Sequence, residues 1–136
     1  MTDVYPAETR ARVMRAVKAR DTKPELLVRR LVRAIRTGYR LDAKDLPGRP
    51  DIVFRRARRA IFVHGCFWHG HDCARGARQP KANATYWTVK IARNRVRDSA
   101  ALAALATAGW SALVIWECAL RDEATVAARL RAFLSP

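Results

Sequence analysis

Apolar residues recur with a helical period in the first third of the chain, which predicts two successive helices. Residues 9–19 alternate arginines with apolar side chains and predict a short, strongly basic helix. Thr22, Pro24 and Glu25 begin a second helix, because they supply a capping hydroxyl, a first-turn proline and a capping-box carboxylate. This helix is predicted to end near Gly38. Its predicted buried face consists of Leu26, Leu27, Leu31, Val32 and Ile35.

The middle of the chain predicts a β-hairpin. Residues 51–54 and 60–63 are apolar runs of strand length, and residues 55–59 between them are four arginines and one alanine. The hairpin is therefore predicted to have a cationic tip. A turn containing proline and glycine at residues 46–50 precedes it, and residues 39–41 predict a further short strand.

The last third predicts a helix, a strand and a helix. Residues 86–108 have helical periodicity, Gly109 ends that helix, and Asp98 within it is predicted to pair with neighbouring arginines. Residues 111–116 predict a buried strand and residues 123–134 an amphipathic helix. The buried face of the long helix is predicted to include Val89, Val96, Leu102 and Leu105. The order α-α-β-β-β-α-β-α predicts an α/β fold in which helices pack on a mixed sheet.

Composition and charge narrow the class of protein. The 136 residues predict a single domain, and half of them are hydrophobic, which is enough for a core. The formal net charge of +15 indicates a polyanionic partner, most simply nucleic acid. A GC-rich genome would explain the preference for arginine over lysine but not the shortage of acids. We interpret residues 1–21 as a basic helical arm that contacts DNA.

The expected compartment is the cytoplasm. No apolar run has the length of a membrane span, and the first residues lack the pattern of a signal peptide, so we expect no membrane partner. Cysteines in this compartment are normally reduced, and beside histidines they indicate metal ligands rather than a disulfide.

All three histidines and two of the three cysteines lie within residues 64–73. Four side chains have the chemistry and number of a closed zinc site: Cys66, His71, Cys73 and Cys118. Their spacing matches no standard zinc finger. The alternative is that Cys118 is an ordinary buried thiol and that the other two cysteines have no metal role.

The predicted hairpin brings a carboxylate to the histidines. Because an antiparallel hairpin sets its first and last residues side by side, Asp51 is expected near the backbone carbonyl of Val63 and near His64. A carboxylate, a carbonyl and water suit Mg²⁺, and a neutral histidine can take a proton from an attacking water. His69 is the better candidate base, and His64 would support the site. Glu25 is either a helix cap or a group near the metal.

Adjacent aromatic residues accompany the histidines. Phe67 and Trp68 are neighbours in a predicted loop, and in a basic protein they can stack on bases or enter between base pairs. Trp87 could join them or pack in the core, and Met14 on the basic helix has the same two alternatives. The other tryptophans, Trp110 and Trp116, are assigned to the core.

Four segments of the chain resemble one known protein family. They follow the order of that family, and the resemblance covers nearly the whole chain. They are Leu46-Pro-Gly-Arg-Pro-Asp51, Phe62-Val-His-Gly-Cys-Phe-Trp-His69, His71-Asp-Cys73 and Trp116-Glu-Cys-Ala-Leu-Arg121. Together with matching residues at 9–15 and 21–25, they resemble the very-short-patch-repair (Vsr) DNA mismatch endonucleases. The resemblance implies a restriction-endonuclease-like core with a structural zinc. It also implies Mg²⁺-dependent nicking of duplex DNA 5′ to the T of a T:G mismatch, the product of 5-methylcytosine deamination.

The resemblance also implies residue roles. Asp51 would bind Mg²⁺ with the backbone carbonyl of Val63, His69 would be the general base, and Glu25 and His64 would support the centre. The zinc ligands would be Cys66, His71, Cys73 and Cys118. The residues that wedge into the duplex would be Phe67, Trp68, Trp87 and Met14. Two departures from the family pattern are Val63, where threonine is expected, and Gly70, where histidine is more usual.

The expected partners follow from this assignment. They are duplex DNA with a T:G mismatch and mismatch-repair accessory proteins. The chain is expected to be a monomer that acts at the bacterial nucleoid. Two alternatives remain at this point: a nuclease of the same fold with another specificity, and a non-catalytic zinc module that binds DNA. Asp51 and His69 separate the alternatives, because a binding module needs neither.

Overall fold

The computed structural model describes residues 21–73 and 82–135. The predicted helix over residues 9–19, almost all of the basic arm and Met14 lie outside the described residues. Within them, no helix has the length and apolar character needed to cross a membrane. The elements are α1 (Lys23–Ile35), β1 (Arg40–Leu41), β2 (Ile52–Phe54), β3 (Arg59–His64), α2 (Ala84–Thr107), β4 (Ser111–Trp116), a 3₁₀ helix (Glu117–Arg121) and α3 (Glu123–Leu134).

The described strands form one mixed sheet in the order β1-β2-β3-β4. β1, β2 and β3 are antiparallel neighbours, and Ile52 pairs with Ile61 across the predicted hairpin. β4 is parallel to β3, so that His64 and Trp116 end adjacent strands at the same edge. The predicted mixed α/β architecture is confirmed at this level.

Helices cover both faces of the sheet. Ile61 and Val63 of β3 contact the core formed with α1 and α3, whereas Ala60 and Phe62 contact the core formed with α2. This alternation follows from the two-residue period of a strand. It turns His64 toward the face that α2 covers.

All three described helices begin at the same end of the molecule. The start of α1 and the carboxyl end of β3 line one cleft, the first turns of α2 contact the loop after β3, and α3 follows β4 through the 3₁₀ helix. Helix amino termini carry partial positive charge and attract phosphate groups. We call this end, where β3 and β4 finish, the cleft end.

The predicted start of α1 is confirmed. The side chain of Thr22 accepts a hydrogen bond from the amide of Glu25, and a proline occupies the first turn. The buried face is partly wrong, because Val28 and Val32 are fully buried while Leu26 is 49% exposed. α1 also ends three residues earlier than Gly38, at Ile35.

The predicted face of α2 is wrong in its first half. Val89 and Val96 are exposed, and Ile91 and Asn94 are buried there instead, whereas Leu105 in the second half is buried as predicted. This helix is rich in alanine and arginine, so its apolar periodicity is weak, and the contacts of the loop after β3 determine which side faces inward.

Candidate active site and metal-ligand cluster

The loop after β3 is held by its own backbone. The amides of His69, Gly70 and His71 donate to the carbonyls of Gly65, Phe67 and Cys66 respectively. These bonds fold residues 65–71 into consecutive tight turns, so that side chains next to each other in sequence point to different neighbours.

Gly70 allows this loop to lie against α2. Its φ of +63° is in the left-handed region, and a Cβ there would lie 2.6 Å from Cγ2 of Ile91. Side chains other than glycine would therefore be strained in backbone and blocked by α2. The departure to glycine at this position matches the close approach of Ile91 in this chain.

Two histidines of the loop region stack face to face. The rings of His64 and His69 have centroids 3.8 Å apart and planes within 3° of each other. Burial and the neighbouring His69 lower the pKa of His64 to about 4, with Asp98 opposing the shift. His64 is therefore neutral near pH 7.

Asp98 determines how His69 is oriented. The Nδ1 atom of His69 lies 2.6 Å from Oδ2 of Asp98, a residue of α2 that faces the loop. When Nδ1 donates this bond, the other ring nitrogen, Nε2, has a free lone pair and can accept a proton. The prediction that Asp98 pairs with arginines of its own helix is wrong, since its partner is a histidine 29 residues away.

The hairpin brings Asp51 to Val63, as predicted. Its Oδ2 accepts a hydrogen bond of 2.7 Å from the amide of Val63, while its own amide donates to the carbonyl of Ile61. The contact that the structure shows is thus through the amide of Val63, and the metal role of the Val63 carbonyl remains a prediction.

Asp51 shares its surroundings with other carboxylates. Burial first, and then repulsion from Glu25 and Asp42, raise the pKa of Asp51 to about 7, against the lowering effects of the Val63 amide and Arg29. Glu25 is itself buried and accepts a 2.6 Å bond from the amide of Asp21. Glu25 therefore both caps the start of α1 and lies at the site, so that the two alternatives are compatible.

One cleft of about 850 Å³ contains the predicted catalytic residues. Its lining includes Glu25, Asp51, Val63, His64 and His69, together with Asp98 and Trp68. Carboxylates, a histidine–aspartate pair and an aromatic ring thus meet in one place. This arrangement can bind a divalent cation and move a proton within the same space.

The second chemical cluster is on the other side of the loop. The ligand atoms of Cys66, His71, Cys73 and Cys118 all lie within 4.8 Å of one another. Tetrahedral zinc with bonds of about 2.3 Å to sulfur requires ligand atoms about 3.8 Å apart, so these residues fit such an ion. Burial and the adjacent thiols raise the pKa of Cys66 to about 12, which a bound cation would reverse.

A second, smaller group of side chains also has its possible metal-ligand atoms close together. Single ligand atoms of His64, His69 and Asp98 also lie within 4.8 Å of one another. Here the two histidine rings stack on each other and His69 is hydrogen-bonded to Asp98, whereas the carboxylates of Asp51 and Glu25 offer oxygen ligands nearby.

Trp116 joins the two clusters and was missed by its assignment to the core. Trp116 is only half-buried. Its ring stacks on the ring of His71 with centroids 4.2 Å apart, and it packs edge to face with the ring of His64 with centroids 5.1 Å apart. Its position at the end of β4, next to Cys118, was the signal that could have placed it. The core assignment of Trp110 is confirmed.

The predicted wedge residues pack together. The ring centroids of Phe67, Trp68 and Trp87 are 5.2 to 5.5 Å apart in edge-to-face pairs, and all three are half-buried. Tyr86 extends this group and is 58% exposed. The buried Asn94, which sequence reasoning did not single out, donates a 2.8 Å bond to the carbonyl of Trp68 and fixes this part of the loop.

The chain is similar to a family of DNA enzymes. The family model described as DNA mismatch endonuclease Vsr matches residues 2–75. A type II nicking enzyme of Xanthomonas oryzae pv. oryzae, V.XorIIP, is 48% identical over 136 residues, covering 100% of this chain and 99% of that protein. The DNA mismatch endonuclease Vsr of Escherichia coli is 40% identical over 121 residues, covering 89% of this chain and 77% of that protein. V.NmeAIP, a type II nicking enzyme of Neisseria meningitidis, is 38% identical over 130 residues, covering 96% and 92%.

Proposed function

This chain belongs to the Vsr family of DNA mismatch endonucleases, and on that premise we propose that it nicks duplex DNA 5′ to the T of a T:G mismatch in a Mg²⁺-dependent reaction. It is a strand-nicking endonuclease. The observation that carries the finer proposal is the hydrogen-bonded pair of His69 and Asp98 in the same cleft as the buried carboxylate of Asp51.

His69 is the general base of the proposal. Its Nε2 takes a proton from the water that attacks the phosphorus atom, while Asp98 fixes the tautomer and stabilises the imidazolium that forms. His64 stacks on the same ring and stays neutral, so that it adds no positive charge to oppose protonation of His69. The proton therefore moves from water to one defined nitrogen.

Asp51 would hold the divalent cation, with Glu25 alongside and the Val63 carbonyl as the proposed third oxygen. The donor chemistry fits, because these are oxygen ligands, and burial together with repulsion from Glu25 already raises the pKa of Asp51. A bound Mg²⁺ would supply charge that offsets the negative charge developing on the phosphate and on the leaving oxygen. The amide of Val63 meanwhile holds the Asp51 carboxylate in one orientation.

The cysteine cluster would hold a structural zinc ion. Cys66, His71 and Cys73 come from the loop and Cys118 from beyond the end of β4, so that the ion would join the loop to the sheet. Four protein ligands leave no open position, which is the arrangement of a structural site. The loop would then hold His69 at a constant distance from Asp51.

The aromatic cluster would recognise the mismatch by entering the stack of base pairs. Separating two base pairs costs a few kcal/mol and costs least at a weak pair, so insertion itself favours a mismatch. Phe67 and Trp68 come between His64 and His69 in the sequence, and Trp68 lines the cleft with both histidines, which supports insertion close to the site of hydrolysis.

The test is a labelled duplex with one T:G pair, incubated with the protein and Mg²⁺. We expect one nick immediately 5′ to the mismatched T, and no product with Asp51→Ala or when a chelator replaces Mg²⁺. Equal nicking of a matched T:A duplex would contradict the mismatch specificity and favour a nuclease of another specificity. Binding without any cleavage would favour a non-catalytic module.

A further inference from the structure

Arginines gather at the end of the molecule opposite the cleft end. We call this group the distal arginine surface. It consists of Arg36, Arg40, Arg55, Arg56, Arg58, Arg59 and Arg131. Its members come from the β2–β3 turn, the strand residues beside that turn, the carboxyl end of α1 and the last turn of α3.

Contacts between α1, α3 and the end of the hairpin place these arginines at one end. The guanidinium of Arg36 lies 5.2 Å from the ring of Phe54 at the end of β2, and it donates to the carbonyl of Leu134 in α3. Arg59 lies 5.5 Å from the ring of Phe133. The turn, α1 and α3 therefore meet here, around a groove of about 450 Å³ that Arg36 and Arg131 line.

Acidic groups do not balance this charge. Asp45 holds Arg55 through bonds of 2.9 and 2.6 Å. Within residues 21–73 and 82–135, the structure pairs Arg56, Arg58 and Arg131 with no carboxylate, and all three are exposed. Other carboxylates lie instead near the cleft end; they include Glu25, Asp51, Asp98, Asp122 and Glu123.

The distal arginine surface lies at the other end of the sheet from the duplex that would be cleaved. β3 runs the length between the two ends, and six strand residues span about 20 Å. A straight duplex that lies across the cleft end stays on that side of the sheet. Compensation of helix dipoles explains Arg36 and Arg131, which lie at the carboxyl ends of α1 and α3. It does not explain Arg56 or Arg58, which lie in a turn between strands.

We propose that the distal arginine surface binds the phosphate backbone of a second segment of duplex DNA while the first segment occupies the cleft. Planar guanidinium groups match phosphate oxygens in pairs and bind them without regard to base sequence. The inference rests on the proposed function only for the position of the first duplex. It gives one chain the ability to bridge two DNA segments.

A second duplex fits this surface better than an acidic protein does. Stable protein interfaces use large aromatic or aliphatic anchors in desolvated pockets. Among the described residues the exposed large apolar side chains are Leu26, Leu41, Tyr86, Val89 and Val96. Only Leu41 neighbours the distal arginine surface, so the surface offers charge without such anchors.

The test is a bridging assay with matched DNA and no added Mg²⁺, so that nothing is cleaved and no chelator removes zinc. One duplex of about 30 base pairs is attached to beads, and retention of a second, fluorescent duplex is measured as salt increases. We expect the wild-type chain to retain it at low salt. Arg56→Glu with Arg58→Glu should reduce retention about tenfold and lower the log–log salt slope by about 2, since each phosphate contact contributes about 0.9.

The matched control is Arg93→Glu with Arg129→Glu, which makes the same charge change on exposed positions of α2 and α3. It should retain the second duplex within about twofold of wild type. Both double variants should nick a short T:G duplex at the wild-type rate, which shows that they fold and keeps this inference separate from the proposed function. A gentler pair, Arg56→Gln with Arg131→Gln, should give a smaller loss of retention.

Three outcomes would overturn the inference. They are no bridging by the wild type, unchanged bridging by Arg56→Glu with Arg58→Glu, and an equal loss in the control. Unchanged bridging would point to association between copies of the chain. Absent bridging would leave an acidic protein as the candidate partner.

Discussion

The catalytic cleft and the cysteine cluster share one loop but differ in energetic character. In the cleft, burial and neighbouring carboxylates raise the pKa of Asp51 to about 7, so its charged form is held at a cost in stability. In the cysteine cluster, four ligands converge from the loop and from beyond β4, and a bound cation would turn crowded thiols into a crosslink. On this proposal, the cleft serves function at the expense of stability, whereas the cysteine cluster on the other side of the loop would add stability.

The largest effect is expected from removing the metal ligands. Cys118→Ser should abolish zinc binding and lower the free energy of unfolding by several kcal/mol, because structural zinc contributes roughly 10 kcal/mol or more to folding of small sites. Elemental analysis should find one zinc per wild-type chain, and chemical denaturation should report the loss. All three cysteines of the chain belong to the cluster, so none is left for a matched cysteine control. Ser135→Ala, which removes an exposed hydroxyl far from the cluster, is a suitable control. Unchanged stability with no zinc bound would contradict the crosslink.

Asp51→Asn in the cleft is expected to lower activity and to raise stability, the opposite change in stability to that of Cys118→Ser. Nicking should fall at least about 10³-fold, since the cation loses its carboxylate, while stability rises by roughly 1–3 kcal/mol above pH 7. The folded-state pKa of about 7 lies above the usual value near 3.8, so wild-type stability falls as pH rises between these values and the gain from Asn grows over the same window. Denaturant titrations of zinc-loaded protein at pH 4, 6 and 8 without Mg²⁺ measure it. A gain that is equal at all three pH values would contradict the burial of an ionisable Asp51.

Asp98→Asn should separate orientation from folding. An asparagine at this position can hold His69 in the wrong tautomer, so nicking is expected to fall about 10²- to 10⁴-fold with little change in stability. Single-turnover nicking rates measure this loss. Asp122→Asn, which removes only a cap of α3, is the matched control for the loss of one carboxylate. A twofold change in rate would exclude Asp98 from positioning the base.

Phe67→Ala with Trp68→Ala should have the smallest effect and should act on recognition. The ratio of T:G to T:A nicking is expected to fall by about 10- to 100-fold, the equivalent of 1–3 kcal/mol of stacking. Non-specific binding to matched DNA should change less than this ratio. Tyr86→Ala, next to the cluster but exposed, controls for loss of aromatic surface. Preserved discrimination would remove the aromatic cluster from mismatch recognition.

Local patterns in the sequence predicted the features that depend on neighbouring residues. The cap at Thr22 and the hairpin that brings Asp51 to Val63 follow from short-range rules, because an antiparallel turn fixes which residues face each other. The four metal-type ligands could be listed by residue type, and the structure brings them together.

Contacts made across the fold could not be predicted in the same way. Asp98 reaches His69 only because α2 packs with one particular face on the loop, and that face depends on Gly70 meeting Ile91. The alanine- and arginine-rich helix carries too weak a periodicity to specify it. Trp116 was assigned to the core because strand composition does not show that a histidine ring will stack on it.

The most direct test of the account is a comparison of two melting temperatures. Asp51→Asn and Cys118→Ser are melted beside the wild type at pH 8, in zinc-loaded protein without Mg²⁺, and both are assayed for nicking. Our account predicts two inactive proteins whose melting temperatures move in opposite directions, upward for Asp51→Asn and downward for Cys118→Ser. A decrease for Asp51→Asn similar to that of Cys118→Ser would contradict the claim that the two sides of the loop have opposite energetic roles.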